Sequence, residues 1–139
     1  MTIPAQMRQE VINRAGNCCE YCQMPQMFDP ATFEIDHVIP EKMKGKAVLL
    51  NLCLACFSCN NHKGPNIAGI DPETSNKAFL FDPRNDVWTD HFSWDGPFLR
   101  GKTFSGRATI ELLQINRAFR VAHRRQLIGE GVFPPRSSL

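Results

Sequence analysis

Two C-x-x-C pairs constrain this chain more than anything else in it. Cys19 and Cys22 form the first, Cys56 and Cys59 form the second, and residues 23 to 55 lie between them. Paired cysteines at that spacing read as a four-thiolate zinc site, which would clip the intervening segment into a closed loop. Cys18 and Cys53 are left over. Cys18 offers Cys22 a partner one residue further away, and Cys53 makes another C-x-x-C with Cys56, but small buried thiols are the preferred reading of both. Disulfides are the rival use of six cysteines. Paired C-x-x-C motifs without a basic, apolar leader in the first ten residues favour metal, and a cytoplasmic location is the matching expectation.

Inside the clip stand Asp36-His37, a hard oxygen donor beside an imidazole, then Asn51, and on the far rim Asn60 within Cys59-Asn60-Asn61-His62-Lys63-Gly64. The order Asp-His, Asn, C-x-x-C-Asn-x-x-Lys-Gly resembles the HNH (ββα-metal) endonucleases, specifically their zinc-clipped bacterial branch. The signature positions fall on His37, Asn51 and Asn60, the last being Asn where many relatives carry His. The resemblance implies a DNA endonuclease with structural Zn²⁺ on Cys19, Cys22, Cys56 and Cys59 and a catalytic Mg²⁺ or Mn²⁺ on Asp36 and Asn60. Such a cation takes oxygen ligands and neutralises charge on the phosphoryl group and leaving oxygen. His37 is then the general base, since an imidazole's ordinary pKa of ~6.5 leaves the neutral form available near pH 7. Asn51 orients that imidazole or ties down its loop, and Lys63 meets a phosphate. His62 is the rival to Asn60, but two residues along a helix it faces nearly the opposite way.

The fold expectation is α+β. A ββα core spans about 17–64, and an extension spans about 65–130, within one domain of a 139-residue chain. Residues 4–15 read as a helix, with Met7, Val11 and Ala15 at four-residue spacing and Gly16 as its stop, its Arg8 and Arg14 forming a solvated face. Phe33–Ile39 and Val48–Ala55 read as strands, the second carrying Asn51, and Cys56–Lys63 begins a helix. Alternation puts Asp36 and His37 on opposite faces of the first strand, so both serve one site only through a twist, a bulge or a backbone atom. Lys42, Lys44 and Lys46 mark a basic turn, read either as a phosphate contact or as solvated surface. Further on, Val87–Trp94 and Phe98–Phe104 form an aromatic hairpin whose rings serve packing ahead of base stacking. One long helix then covers 106–128, with Ala108, Leu112, Ile115, Phe119 and Ala122 buried and Arg117, Arg120 and Arg124 on another face. Residues 133–139 read as a frayed tail.

The net charge of +2 conceals a partition. Residues 100–126 hold seven basic side chains against Glu111 alone, a local +6, whereas 64–99 hold Lys77 and Arg84 against six acids, a local −4. Such a gradient suits a polyanion, and Arg117, Arg120 and Arg124 are the expected grip on the DNA backbone. No apolar run reaches the length of a membrane span, and no small-molecule substrate is implied. The competing function is a non-catalytic zinc-ribbon-like nucleic-acid-binding or adaptor module, which would need neither Asp36 nor His37.

Overall fold

The computed structural model describes residues 3–136. It is a mixed α/β structure in which three two-stranded antiparallel sheets are joined by short helices. Helix α1 (Ala5–Arg14) buries Val11, and Pro4 sits at its N-cap, where a missing N–H is harmless. Its Arg14 is not simply solvated: the guanidinium donates to the Leu49 and Leu52 carbonyls at 2.9 and 2.6 Å and anchors the loop ahead of the second strand.

Strands β1 (Glu34–His37) and β2 (Leu52–Ala55) pair with Asp36 opposite Cys53 and His37 opposite Leu52. Helix α2 (Phe57–Lys63) follows at once, so strand, strand and helix succeed one another. The second strand is shorter than expected. Leu49–Asn51 form a 3-10 turn, because the Asn51 side chain is drawn into the preceding loop and cannot sit in the ladder. That loop closes tightly: a Cβ on Gly45 would come within 1.7 Å of the Ile39 carbonyl oxygen, so only glycine fits.

Beyond α2 come the hairpin β3 (Ala68–Ile70) and β4 (Lys77–Phe79), the short helix α3 (Trp88–His91), and the hairpin β5 (Phe92–Asp95) and β6 (Phe98–Gly101). The aromatic hairpin is therefore shorter than its sequence signal, since Trp88–His91 coil into a turn of helix. Most of its rings pack inward, whereas Phe104 is exposed. Trp88, Phe92 and Phe81 stack edge and tilt against one another, and Phe133 meets Trp94, which removes residue 133 from the expected frayed tail. Residues 137–139 of that tail lie outside the described residues. The two tryptophans also hold the cysteine knuckle: Trp88 Nε1 donates to the Tyr21 carbonyl at 2.9 Å and Trp94 Nε1 to Gln23 Oε1 at 2.8 Å.

The single long helix expected over 106–128 is two helices, α4 (Phe104–Leu112) and α5 (Ala118–Gly129). Gln114 is left-handed at φ 53°, and Asn116 turns its amide to pair with both backbone groups of Leu99 in β6. A side chain that satisfies backbone groups elsewhere competes with helix continuation. The break shifts the phase of the apolar stripe. Ala108 and Ile115 are buried as expected, Phe119 and Ala122 are exposed, and α5 buries Arg120, Val121, Arg124 and Leu127 instead.

Candidate functional site

The four cysteines Cys19, Cys22, Cys56 and Cys59 converge in the interior, their sulfurs all within 4.8 Å of one another. Cys22 and Cys56 sulfurs stand 3.8 Å apart, and a tetrahedral ion with Zn–S bonds of about 2.3 Å requires a ligand separation of about 3.8 Å. Each pair forms the same knuckle, with the second cysteine's backbone N–H directed at the first cysteine's sulfur. No cysteine is in a disulfide among the described residues, and Cys18 and Cys53 stay outside the cluster. The donor set fits a zinc ion, and four thiolates leave no position for water, so the ion would shape the fold without touching substrate.

Four thiolates around one Zn²⁺ carry a net charge of about −2, and the structure places two buried arginines beside them. Arg120 Nη2 donates to Cys59 Sγ at 3.1 Å and lies 3.8 Å from Cys56 Sγ, while its Nη1 caps the carbonyls of Leu113 and Gln114 at the end of α4. Burial works against its charge, but the surrounding Cys59, Cys22 and Cys56 thiolates outweigh that cost and raise its pKa. Arg124, 1% exposed, donates to the Pro97 and Ile115 carbonyls and lies over the Trp94 ring. Burial lowers its pKa to about 10, opposed by the same thiolates. The expectation that Arg120 and Arg124 grip DNA is therefore corrected, because both are interior groups. The +6 segment does not present itself as one surface either: Arg107 pairs with Asp71 and Glu73, and Arg100 with Asp95. Arg117 does remain exposed, its guanidinium over Phe119.

Asp36 points inward. Tyr21 donates its hydroxyl to Oδ2 at 2.9 Å, Cys53 Sγ lies 3.6 Å away, and Lys63 Nζ approaches the two oxygens at 3.2 and 3.3 Å. Burial pushes the Tyr21 phenol and the Cys53 thiol up, which keeps both protonated and able to donate. Asp36 is 6% exposed and Lys63 2% exposed, so the pair is an internal ion pair. Two sequence expectations change here. The carboxylate is committed to protein donors and does not stand open as a ligand for a divalent cation, and Lys63 is not a surface phosphate contact. Apart from the four cysteines, the described residues bring together no group of three or more potential His, Cys or carboxylate ligands.

Lys63 also donates to the His37 backbone carbonyl at 3.0 Å. Adjacent residues facing opposite ways are thus joined through a backbone atom, as strand geometry required. The His37 imidazole is half-buried. Its Nε2 makes no hydrogen bond and lies 3.4 Å from a Glu41 carboxylate oxygen. Asn51 locks the next stretch of chain: Oδ1 accepts from Ile39 N–H at 2.9 Å, and Nδ2 donates to the Ile39 and Lys46 carbonyls at 3.0 Å each. Asn60 lies one turn before Lys63 on α2 and is half-buried. His62 bonds the Ser58 carbonyl at 2.8 Å and lines a cavity of about 660 Å³ with Phe57, Ser58 and Asn61 on another face of that helix. Sequence reasoning missed Tyr21 and Glu41. Tyr21 was visible within Cys-x-Tyr-Cys, and Glu41 lies four residues after His37, just past Pro40.

The HNH endonuclease family model matches residues 19–66, which takes in the cysteine cluster, β1, β2 and α2. Septu protein PtuB of Bacillus thuringiensis is 26% identical over 121 residues, a stretch covering 86% of this chain and 44% of that protein. The chain thus spans less than half of that relative's length. No solved structure matches. The motif order and the thiol cluster both fall within the matched stretch, so residues 19–66 are similar to the HNH endonucleases.

Proposed function

We propose that the chain is a zinc-stabilised DNA endonuclease built on a ββα-metal core, in which His37 is the general base for phosphodiester hydrolysis. The observation that carries this reading is the His37 imidazole itself. Its Nε2 has no hydrogen-bond partner, although buried polar atoms are almost always paired, and it sits at the end of the strand that the family match covers. Lys63 holds the carbonyl of His37, Asn51 holds the segment that follows, and a Glu41 carboxylate oxygen faces Nε2 at 3.4 Å. A base fixed in this way deprotonates an attacking water with little reorganisation, a contribution of about 10²–10⁴-fold. Asn60 sits on α2 as a neutral donor and acceptor for substrate.

No step is drawn through a divalent cation on Asp36, because Lys63 and Tyr21 engage that carboxylate. The same engagement is the observation that favours the second reading, a non-catalytic nucleic-acid-binding module. Incubation of the zinc-loaded chain with supercoiled plasmid and Mg²⁺ or Mn²⁺, with and without chelator, separates the two. Nicked or linear product supports the nuclease, with the chelator arm reporting its cation dependence. Intact plasmid under every condition supports the binding module.

A further inference from the structure

The loop between β1 and β2 exposes apolar side chains that the fold does not use. Leu50 is 85% exposed, and Ile39, Met43 and Val48 are each more than two-fifths exposed. A bare leucine forgoes the gain of burial, and apolar groups gathered on one loop mark a contact surface. Between them stand Lys42, Lys44 and Lys46, all exposed, their ammonium groups making no hydrogen bond or ion pair among the described residues. The loop is also rigid. Three Asn51 hydrogen bonds, the close approach at Gly45 and the Arg14 contact to the Leu49 carbonyl fix its base, so Leu50 is held from behind while its tip is bare.

We infer that this loop is a duplex-DNA wedge, in which Leu50 enters a base step while Lys42, Lys44 and Lys46 take the flanking phosphates. Alternating cations and apolar side chains on a preorganised support match the chemistry of a bent duplex, where an inserted apolar residue unstacks a step and cations grip the backbone. A protein partner with an apolar surface has no use for three regularly spaced, unpaired lysines. The loop begins directly after His37, so a wedge there opens the backbone beside the base. This deepens the nuclease reading and rests on it for the identity of the substrate.

The test uses the zinc-loaded full chain carrying His37→Ala, so that binding is read without cleavage, and a short DNA duplex carrying 2-aminopurine as an unstacking probe. The expected result is fluorescence brightening with the parent protein, lost in Leu50→Ser and kept in Leu50→Met. Replacing the three lysines with alanine should lower the slope of log K against log salt by about 0.9 for each phosphate contact removed. Absence of brightening, or brightening equal in Leu50→Ser, overturns the wedge. Duplex affinity unchanged by both sets of variants also overturns it and assigns the loop to a protein partner. The nuclease reading fails separately: a chain that unstacks the duplex but never cleaves it keeps the wedge and loses the enzyme.

Discussion

Arg120 Nη2 lies 3.1 Å from Cys59 Sγ, which makes a residue of α5 part of the cysteine cluster more than sixty positions upstream. The C-terminal extension is thereby tied to the metal clip. Replacing Arg120 by Leu leaves the thiolate charge uncompensated and takes the side-chain donor from the Leu113 carbonyl and the Cys59 sulfur, and loss of one partner from a buried charge pair costs about 3–5 kcal/mol. Urea denaturation should show that loss, and zinc release to a chromogenic chelator should accelerate. Arg117→Leu, an exposed position, is the control and should change neither by more than about 0.5 kcal/mol.

The Asp36–Lys63 pair should be structural first. Lys63→Met leaves the carboxylate buried with Tyr21 and Cys53 only, and a destabilisation of about 3–5 kcal/mol is expected. Tyr21→Phe removes one hydrogen bond to a charged group and should cost about 1.5–3 kcal/mol. A Lys63→Met protein as stable as wild type would show that Lys63 leaves this pocket in solution.

Asn51→Ala removes three side-chain hydrogen bonds from the loop that follows His37. Each is partly exposed, so the stability loss should be small, about 1 kcal/mol per bond at most. The backbone N–H of Ile39 should exchange with solvent faster, and cleavage should fall while zinc content is retained. Unchanged exchange at Ile39 would remove the positioning role.

Acid sensitivity has a defined origin in the extension. The Arg107 guanidinium, hydrogen-bonded to Asp71 at 3.0 and 2.9 Å, lowers that carboxyl to about 2. An unfolded aspartate titrates near ~3.9, so the pair contributes fully above that pH and is lost as pH falls through about 2. The stability difference between wild type and Asp71→Asn should therefore be flat from neutral pH down to about 4 and shrink below it. A difference that already declines near neutral pH would contradict this assignment.

What could be read from the sequence was whatever depends on spacing. Two C-x-x-C pairs announce their own ligand geometry, and the four sulfurs meet as that spacing implies. What could not be read depends on tertiary partners. An arginine at helical spacing looks the same whether it meets phosphate or thiolate, and only the break after α4, set by Gln114 and Asn116, turns Arg120 and Arg124 inward. Asp36 was misjudged similarly, since its donors come from residues 15 and 27 positions away. Asn51 ended its turn outside the strand because its amide found partners across the loop, which β-propensity does not register.

In the proposed nuclease His37 is the base within a zinc-held frame. The most direct measurement is plasmid nicking by wild type and His37→Ala, both shown by native mass spectrometry to carry one zinc per chain. Equal zinc and equal folding are expected, with cleavage lost by at least about 10²-fold in the variant. Nicking at the wild-type rate by a zinc-loaded His37→Ala protein would contradict it.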